Sequence, residues 1–431
     1  MRVFLSCLVC RIVTFVLHKL GRGATSMPGK VALKVKRNVL KDLSKNTKVI
    51  VVTGTNGKTT SCRILEEGLK KAGKSYFINK SGANLITGVT ASFIMNSTVT
   101  GKCKKDYAII ECDENAFKEV SRYIHCDVIL VTNVFRDQLD RYGEVTHTLN
   151  AIKESVKNLP NAIVCLDADC SLTYSMSKEI PNKIITFGVN VPFDKNAKAP
   201  EISDAKYCIF CKHEYDYTYH TYGHLGGFVC NNCGYKRPQP DFAVESVEEM
   251  KNDHSVVVAN LNGDRNIIKV NIGGAYNIYN AIGCAAALTA LGIEQKIIID
   301  AIENFNGAFG RMEHFKAGNN TVNLILVKNP AGFSQTMNFL KSIDDDFTLI
   351  LSLNDNAADG RDISWIWDVD FSGIFDKPNV KELYVTGKRC YDMAVRVKYE
   401  GIGNREIKII ENEDYNKLVD VATSQGRDVY I

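Results

Sequence analysis

No stretch of this 431-residue chain reaches the about 18 uncharged apolar residues of a membrane-spanning helix. The nearest approach, Met1 to Leu20, is interrupted by Arg11. Its apolar run before that point, Val3 to Cys10, is short for the hydrophobic part of a secretory signal. No small-x-small cleavage pattern follows, and Gly21-Arg-Gly-Ala-Thr-Ser26 does not supply one. The segment reads as an amphipathic helix that packs on the next domain or touches a membrane surface. A large charge imbalance is missing too. The net charge of +4 is too small to draw nucleic acid or an acidic partner. Internal repeats and low-complexity tracts are absent, which excludes a solenoid. The 14 cysteines lack the framework of a secreted domain, which places the chain in a reducing cytoplasm.

What is present is an ordinary globular composition, 45% apolar and 24% charged, in a chain long enough for two or three domains. About 45 residues precede the first strand, too few for a domain of their own. From Val49 to about Ala308 apolar strands alternate with amphipathic helices, which predicts a doubly wound parallel sheet with ligands at the strands' carboxyl ends. Tyr107 to Ile110, Val128 to Thr132, Ala162 to Leu166 and Ile184 to Phe187 read as buried strands. One insertion, about 197–240, is rich in Tyr, His, Cys and Gly. After Arg311 a second α/β unit begins, with strands at Val322–Val327, Thr348–Leu353, Glu382–Val385, Ile407–Ile410 and Val429–Ile431. The sequence stops inside that last apolar strand, where a further helix is expected. The domains expected are 1–46, an N-terminal helix and lead-in; 47–310, a central nucleotide-binding domain; and 311–431, a C-terminal Rossmann-like α/β domain.

Val49-Ile-Val-Val-Thr-Gly-Thr-Asn-Gly-Lys-Thr-Thr60 carries the most specific chemistry. A buried strand runs into a glycine turn, then Lys58-Thr59-Thr60, then a helix. Backbone N–H groups of Gly54, Thr55, Asn56, Gly57 and the helix start can cradle a triphosphate. Lys58 supplies a point charge at the β/γ position, and the Thr59 hydroxyl reaches Mg²⁺. Glu111, at the end of the adjacent strand, is an oxygen ligand for that ion, with Asp113 and Glu114 as competing candidates. Cys208-x-x-Cys211, 18 residues, then Cys230-x-x-Cys233 has the spacing of a structural zinc site. Four thiolates close a tetrahedral shell and leave no catalytic position. Redox pairs are the alternative. His213, His220 and His224 are expected at the surface, since the cysteines already complete the shell.

The first glycine of the loop stands three residues before the second, instead of five. This short form resembles the Mur ligase family, which includes folylpolyglutamate synthase. The resemblance implies ATP-dependent conversion of a carboxylate to an acyl phosphate that an amine attacks. It also implies roles for other residues. Asn277, in Gly274-Ala-Tyr-Asn-Ile-Tyr-Asn280, is placed near adenine, and Arg311, in Gly310-Arg311, at the ATP phosphates. Asn133, Asp137 and Asp140 match a run lining the metal and substrate side. Gln138 stands where a histidine is common, which puts a second metal ligand in doubt, and a helix N-cap explains Asp137 or Asp140 equally.

Within that family the chain is similar to the MurT type, the ligase subunits of lipid II isoglutaminyl synthases. The residues that carry this are Gly21 to Lys30, the short loop, the four-cysteine insert, Gly310-Arg-Met-Glu313, Asn329-Pro-Ala-Gly332 and Leu353 to Asp368. The missing N-terminal substrate domain agrees with a lipid-linked substrate. The resemblance implies amidation of the α-carboxyl of D-glutamate in the lipid II stem peptide to D-isoglutamine. Ammonia would come from a GatD-type glutaminase partner, whose Cys and His would be completed by Asp355 as a third catalytic residue beside Lys58 and Glu111 here. A loop or N-cap acid is the other reading of Asp355. An amino-acid-adding ligase is the alternative function.

Overall fold

The computed structural model describes residues 1–21, 26–79, 83–136, 145–193, 204–251, 253–305, 313–318, 320–356, 359–403, 405–412, 414–424 and 426–431. They form two compact units, one gathering the elements up to residue 305 and the other those from 313 on.

The first unit opens with three helices, α1 (Arg2–Lys19), α2 (Met27–Val35) and α3 (Val39–Ser44). Its sheet has nine strands among the described residues. In chain order they are β1 (Lys48–Thr53), β2 (Tyr76–Ile78), β3 (Tyr107–Glu111), β4 (Val128–Val131), β5 (Ile163–Asp167), β6 (Ile184–Val189), β9 (Phe242–Met250), β10 (Ser255–Leu261) and β11 (Asp264–Val270). The spatial order is β11-β10-β9-β6-β5-β4-β1-β3-β2. From β2 through β9 every pairing is parallel, and β9-β10-β11 finishes the sheet as an antiparallel meander. The parallel part was expected from the alternation; the antiparallel extension was not. Val49 to Val52 are wholly buried, as suits a central strand covered on both faces. The chain leaves β1 to build β2 and β3 on one side and β4 to β6 on the other, so the loop after β1 opens at the sheet's switch point.

Helix α4 (Lys58–Lys71) shows how local sequence sets an element. Cys62, Leu65 and Leu69 recur at helical spacing and are buried. It ends where Gly73, at φ +65°, takes the left-handed turn. There the Lys74 N–H reaches the Leu69 carbonyl (2.9 Å) and the Gly73 N–H the Lys70 carbonyl (3.0 Å), a paired C-terminal cap. Helix α5 (Ile86–Met95) packs against α2, α6 (Glu114–Val120) follows β3, and α7 (Val145–Lys157) follows β4. After the short α8 (Ser171–Ser175), the insertion contributes a hairpin of β7 (Asp216–His220) and β8 (Gly226–Val229). Helices α9 (Ala275–Ala290) and α10 (Gln295–Glu303) pack on α4.

Among the described residues the second unit holds a six-stranded sheet of β12 (Glu313–Ala317), β13 (Asn320–Leu324), β14 (Phe347–Ser352), β15 (Val380–Thr386), β16 (Ile407–Ile409) and β17 (Asp428–Tyr430). Their spatial order is β12-β13-β17-β14-β15-β16. All pairs are parallel except the β12/β13 hairpin. Helices α11 (Pro330–Lys341), α12 (Cys390–Glu400) and α13 (Tyr415–Ser424) cover it. Phe347, Leu349 and Leu351 face a core with Phe371, Met393 and Val397, while Ile350 faces Tyr384 and Val429 on the other side. That alternation fixes the register of β14.

Candidate active site and metal centre

The loop after β1 is built by close approach. Gly54 and Gly57 have φ of +119° and +85°. A Cβ on Gly54 would lie 2.4 Å from Thr132 Oγ1, and one on Gly57 would lie 2.1 Å from Asn280 Oδ1. Only glycine meets both the conformation and the space. The loop is laced to the end of β4. The Thr55 N–H donates to the Asn133 carbonyl (2.9 Å) and the Asn56 N–H to Asn133 Oδ1 (2.9 Å). Asn133 Nδ2 donates back to the Asn56 carbonyl (3.2 Å). Thr55 Oγ1 donates to the Phe135 carbonyl (3.1 Å) and accepts from the Phe135 N–H (3.0 Å). This bracing holds a preformed backbone at the N-terminus of α4, where the helix's first N–H groups and its dipole favour an anion.

Three neighbouring acids make three different contacts. Parallel pairing sets Glu111 opposite Val52, one residue before the loop-bearing Thr53. Asn79 clamps the Glu111 backbone from both sides, accepting from its N–H (2.8 Å) and donating to its carbonyl (2.9 Å). The Thr59 hydroxyl donates to Glu111 Oε1 at 3.1 Å. These adjacent oxygens are the donor type that a hard divalent ion takes. Asp113 caps α6, accepting from the N–H groups of Asn115 and Ala116. Glu114, buried, pairs with the Lys58 ammonium at 2.9 Å. Lys58 is buried as well and also donates to the carbonyls of Gly54 and Thr55. The side chain is thus folded back over its own loop.

Asn277 uses one donor and one acceptor of its amide within the protein. It is buried, its Nδ2 donates to the Gly273 carbonyl (2.6 Å), and its Oδ1 accepts from Asn280 Nδ2 (2.9 Å). Asn280 in turn lies against Gly57 and Ser61. The pair braces the start of α9 against the loop. Thr60 sits in the first turn of α4. Arg311, Asp137, Gln138 and Asp140 lie outside the described residues.

The insertion brings its four cysteines together as their spacing predicts. Their sulfurs all lie within 4.8 Å of one another, with 3.6 Å between Cys208 and Cys233 and 3.4 Å between Cys211 and Cys230. A tetrahedron with metal–sulfur bonds of about 2.3 Å needs sulfurs about 3.8 Å apart, so this donor set can hold a metal ion. The two Cys-x-x-Cys turns match. Lys212 at φ +63° and Gly234 at φ +75° occupy equivalent left-handed positions. Their N–H groups return to the carbonyls of Cys208 and Cys230, each at 2.9 Å. Tyr215, Phe228 and Tyr235 supply a small aromatic core beside the cysteines. The Tyr235 hydroxyl donates to the Ser171 carbonyl (2.7 Å), and Arg237 donates to the fully buried Asp169 (2.6 Å), so the ribbon is tied to the main sheet.

His224 corrects the expectation of a surface histidine. It is 1% exposed. Burial pushes its imidazole down to about 4, so it is neutral at ordinary pH. Its ring and that of Tyr222 pack on Phe135, with centroids at 4.5 and 5.7 Å. Phe135 is the residue whose backbone grips the Thr55 hydroxyl, so the ribbon's tip props the phosphate-type loop. His220 is partly buried and His213 exposed.

In the second unit, Asp355 follows β14 in a loop held by the turn into α12. The Arg389 N–H donates to the Leu353 carbonyl (3.0 Å), the Lys388 N–H to Asn354 Oδ1 (3.0 Å), and Arg389 Nη1 lies 3.5 Å from Asp355 Oδ2. The Asp355 side chain remains 30% exposed. Asn329 caps α11 by accepting from the Gly332 N–H (2.9 Å).

Two family descriptions match the chain, the Mur ligase middle domain over residues 52–233 and the MurT ligase C-terminal domain over 326–431. A lipid II isoglutaminyl synthase (glutamine-hydrolyzing) subunit MurT from Streptococcus pneumoniae is 36% identical, over 98% of this chain and 95% of the relative. The chain belongs to the MurT family of Mur ligases. It is therefore an ATP-dependent ligase. A second MurT, from Staphylococcus aureus, is 32% identical over 92% of this chain and 87% of its own length. Among solved structures, a pseudomurein peptide ligase type C from Methanothermus fervidus has a TM-score of 0.66 at 21% identity, covering 90% of this chain and 76% of that one. A MurF ligase from Thermotoga maritima in complex with ADP has a TM-score of 0.61 at 15% identity, covering 94% and 79%. Both carry the Mur ligase fold seen here.

Within this MurT-family chain, sequence reasoning missed Asn79, Asn280 and Phe135. Asn280 had a local signal, standing one helical turn after Asn277. The other two act through strands distant in the chain and had none.

Proposed function

We propose that this chain is the ligase subunit of a lipid II isoglutaminyl synthase, working beside a GatD-type glutaminase at the cytoplasmic face of the membrane. The observation that carries this reading is identity to a curated MurT along nearly the full length of both chains. In this reading residues 47–310 bind ATP, and 311–431 form the second domain. The N–H groups of Gly54 to Thr60 cradle the phosphates. Lys58 turns from Glu114 to the β/γ-phosphates and balances charge as the γ-phosphoryl group leaves. Thr59 and Glu111 would hold Mg²⁺, which would supply positive charge beside the phosphates. The α-carboxylate of D-glutamate takes the phosphoryl group, and ammonia displaces phosphate to leave the amide. Asp355 orients the partner's histidine. The test is isoglutamine formation from lipid II, ATP and glutamine by this chain with its partner. Amino-acid-dependent ATP turnover without any glutaminase would point to an adding ligase and overturn it.

The four-cysteine ribbon holds structural Zn²⁺ in the same proposal. Cys230→Ser is expected to lose the zinc found by metal analysis and to expose the ribbon to proteolysis, because so small a core depends on its metal. Phe135→Ala should keep the zinc and still weaken ATP binding. It forfeits two ring contacts worth about 0.5–1.5 kcal/mol each, and a rise in ATP Kd of roughly 3–10-fold follows if part of that ordering is lost from the loop. Unchanged ATP affinity in Phe135→Ala would sever the ribbon from the loop.

A further inference from the structure

Helix α1 has two faces of opposite character. Ser6, Cys7 and Cys10 are buried. Ser6 Oγ donates to the Ala32 carbonyl (3.2 Å), Arg11 donates to the Ile94 carbonyl (3.1 Å) and to that of Ser97, and Val3 lies against Gly101. These contacts seat the inner face on α2 and α5. The outer face carries Phe4, Leu5, Leu8, Ile12, Phe15 and Val16, between 36% and 61% exposed. Their spacing places them on one stripe, at 100° per residue, away from the buried side. So many exposed large apolar side chains along one helix exceed the scattered exposure of an ordinary surface.

The surrounding charge says what covers this stripe. Residues 1–48 contain eleven Lys and Arg but one acidic residue, Asp42, in a chain whose whole net charge is +4. Asp42 is itself paired with Lys36. Arg2 and Lys19 stand exposed at the two ends of α1, and Lys30, Lys34, Lys41, Lys45 and Lys48 are exposed in the segment that follows. A second copy docking here would set these cations against their equivalents, which opposes association. Among the described residues no helix is long and apolar enough to cross a membrane. A fixed apolar stripe within a cationic layer is the chemistry of a helix lying in the interface of an anionic bilayer.

We infer that α1 is a membrane-docking helix, its Phe4–Val16 stripe entering the headgroup region of an anionic phospholipid surface with the basic residues of the first 48 beside it. This deepens the proposed role of the chain, since it rests on a lipid-borne substrate for its purpose, though its structural argument is independent. The test is co-sedimentation of the full chain, with its partner, on vesicles of phosphatidylglycerol and phosphatidylcholine that contain no lipid-linked substrate. The protein is expected to pellet with the anionic vesicles, to release with added salt, and to stay in solution with phosphatidylcholine alone. Ile12→Glu with Phe15→Glu should cut binding at least about tenfold. Arg2→Glu with Lys19→Glu, which leaves the stripe intact, should cut it at least about tenfold and flatten the salt dependence. ATP hydrolysis by both variants on a water-soluble substrate fragment should match the parent, which separates loss of docking from failure of the proposed chemistry. Wild-type protein left in the supernatant, binding indifferent to lipid charge, or a glutamate variant that instead converts a dimer to a monomer would each overturn the inference.

Discussion

Lys58→Met is expected to lower ATP-dependent amidation by about 10²–10³-fold, the cost of removing one preorganised charge from a phosphoryl-transfer site. The loss should be the same with glutamine or with ammonium as the nitrogen source, because both reactions need the acyl phosphate. A complication is visible in the fold. Lys58 is paired with Glu114 in a buried setting, and removing one partner of such a pair typically costs about 3–5 kcal/mol. A drop in activity alone would therefore mix unfolding with lost catalysis. Glu114→Gln is the matching single change. It also leaves one buried charge, on Lys58, but keeps that ammonium, so it should lose stability and retain ATP turnover. The double variant Lys58→Met with Glu114→Gln carries no buried lone charge, so it should recover most of the melting temperature and none of the turnover. Activity returning with stability in the double variant would mean that Lys58 serves the fold and not the phosphates.

Local order made the phosphate-type loop readable: strand, glycines, Lys-Thr and helix follow within twelve residues, and each has a steric or electrostatic reason to be there. The cysteine ribbon was readable for the same reason, since Cys-x-x-Cys is a turn with its own backbone geometry. What sequence left open was decided by pairing between distant segments. Glu111, Asp113 and Glu114 are near neighbours with similar chemistry, and their separate contacts, with Thr59, the α6 N-terminus and Lys58, follow from the register of β3 on β1 and the start of α6. His224 reads as a polar residue in a polar insertion. Its burial depends on Phe135 and Cys170, which come from other strands' ends. The β9-β10-β11 meander was hidden because its polar edge residues, such as Glu248, Asp264 and Arg265, dilute the apolar alternation. Asn277 reads as a ligand group because its chemistry fits a base; what sequence does not show is that one amide hydrogen and one oxygen lone pair tie it to Gly273 and Asn280.

Asp355→Ala probes the second half of the proposed reaction, and its expected signature differs from that of Lys58. Loss of the acidic member of a Cys-His-Asp arrangement leaves the histidine without its orienting acceptor, which costs about 10⁴-fold in hydrolytic triads of the same logic. Glutamine-driven amidation by the complex should fall by that order. Ammonium-driven amidation should be unchanged, since free ammonia bypasses the glutaminase and the loop proposed to hold ATP belongs to the first unit. A carboxylate that takes a histidine from a partner must be reachable, and the Asp355 side chain is consistent with that proposal. It is partly exposed, and its loop is fixed at Leu353 and Asn354 by the backbone of Arg389 and Lys388. The nearest cation, Arg389, stands at a long 3.5 Å and has Asp392 as its closer partner at 2.8 Å, so a histidine from a partner can compete for the carboxylate. Asp355→Asn gives the sharper measurement. It preserves shape and loop bonds but cannot accept as an anion, and it should behave like the alanine variant toward glutamine. A parallel loss with ammonium would place Asp355 in the ligase chemistry or in the fold. Full glutamine-driven activity in Asp355→Asn would mean that the partner's histidine is oriented by some other group.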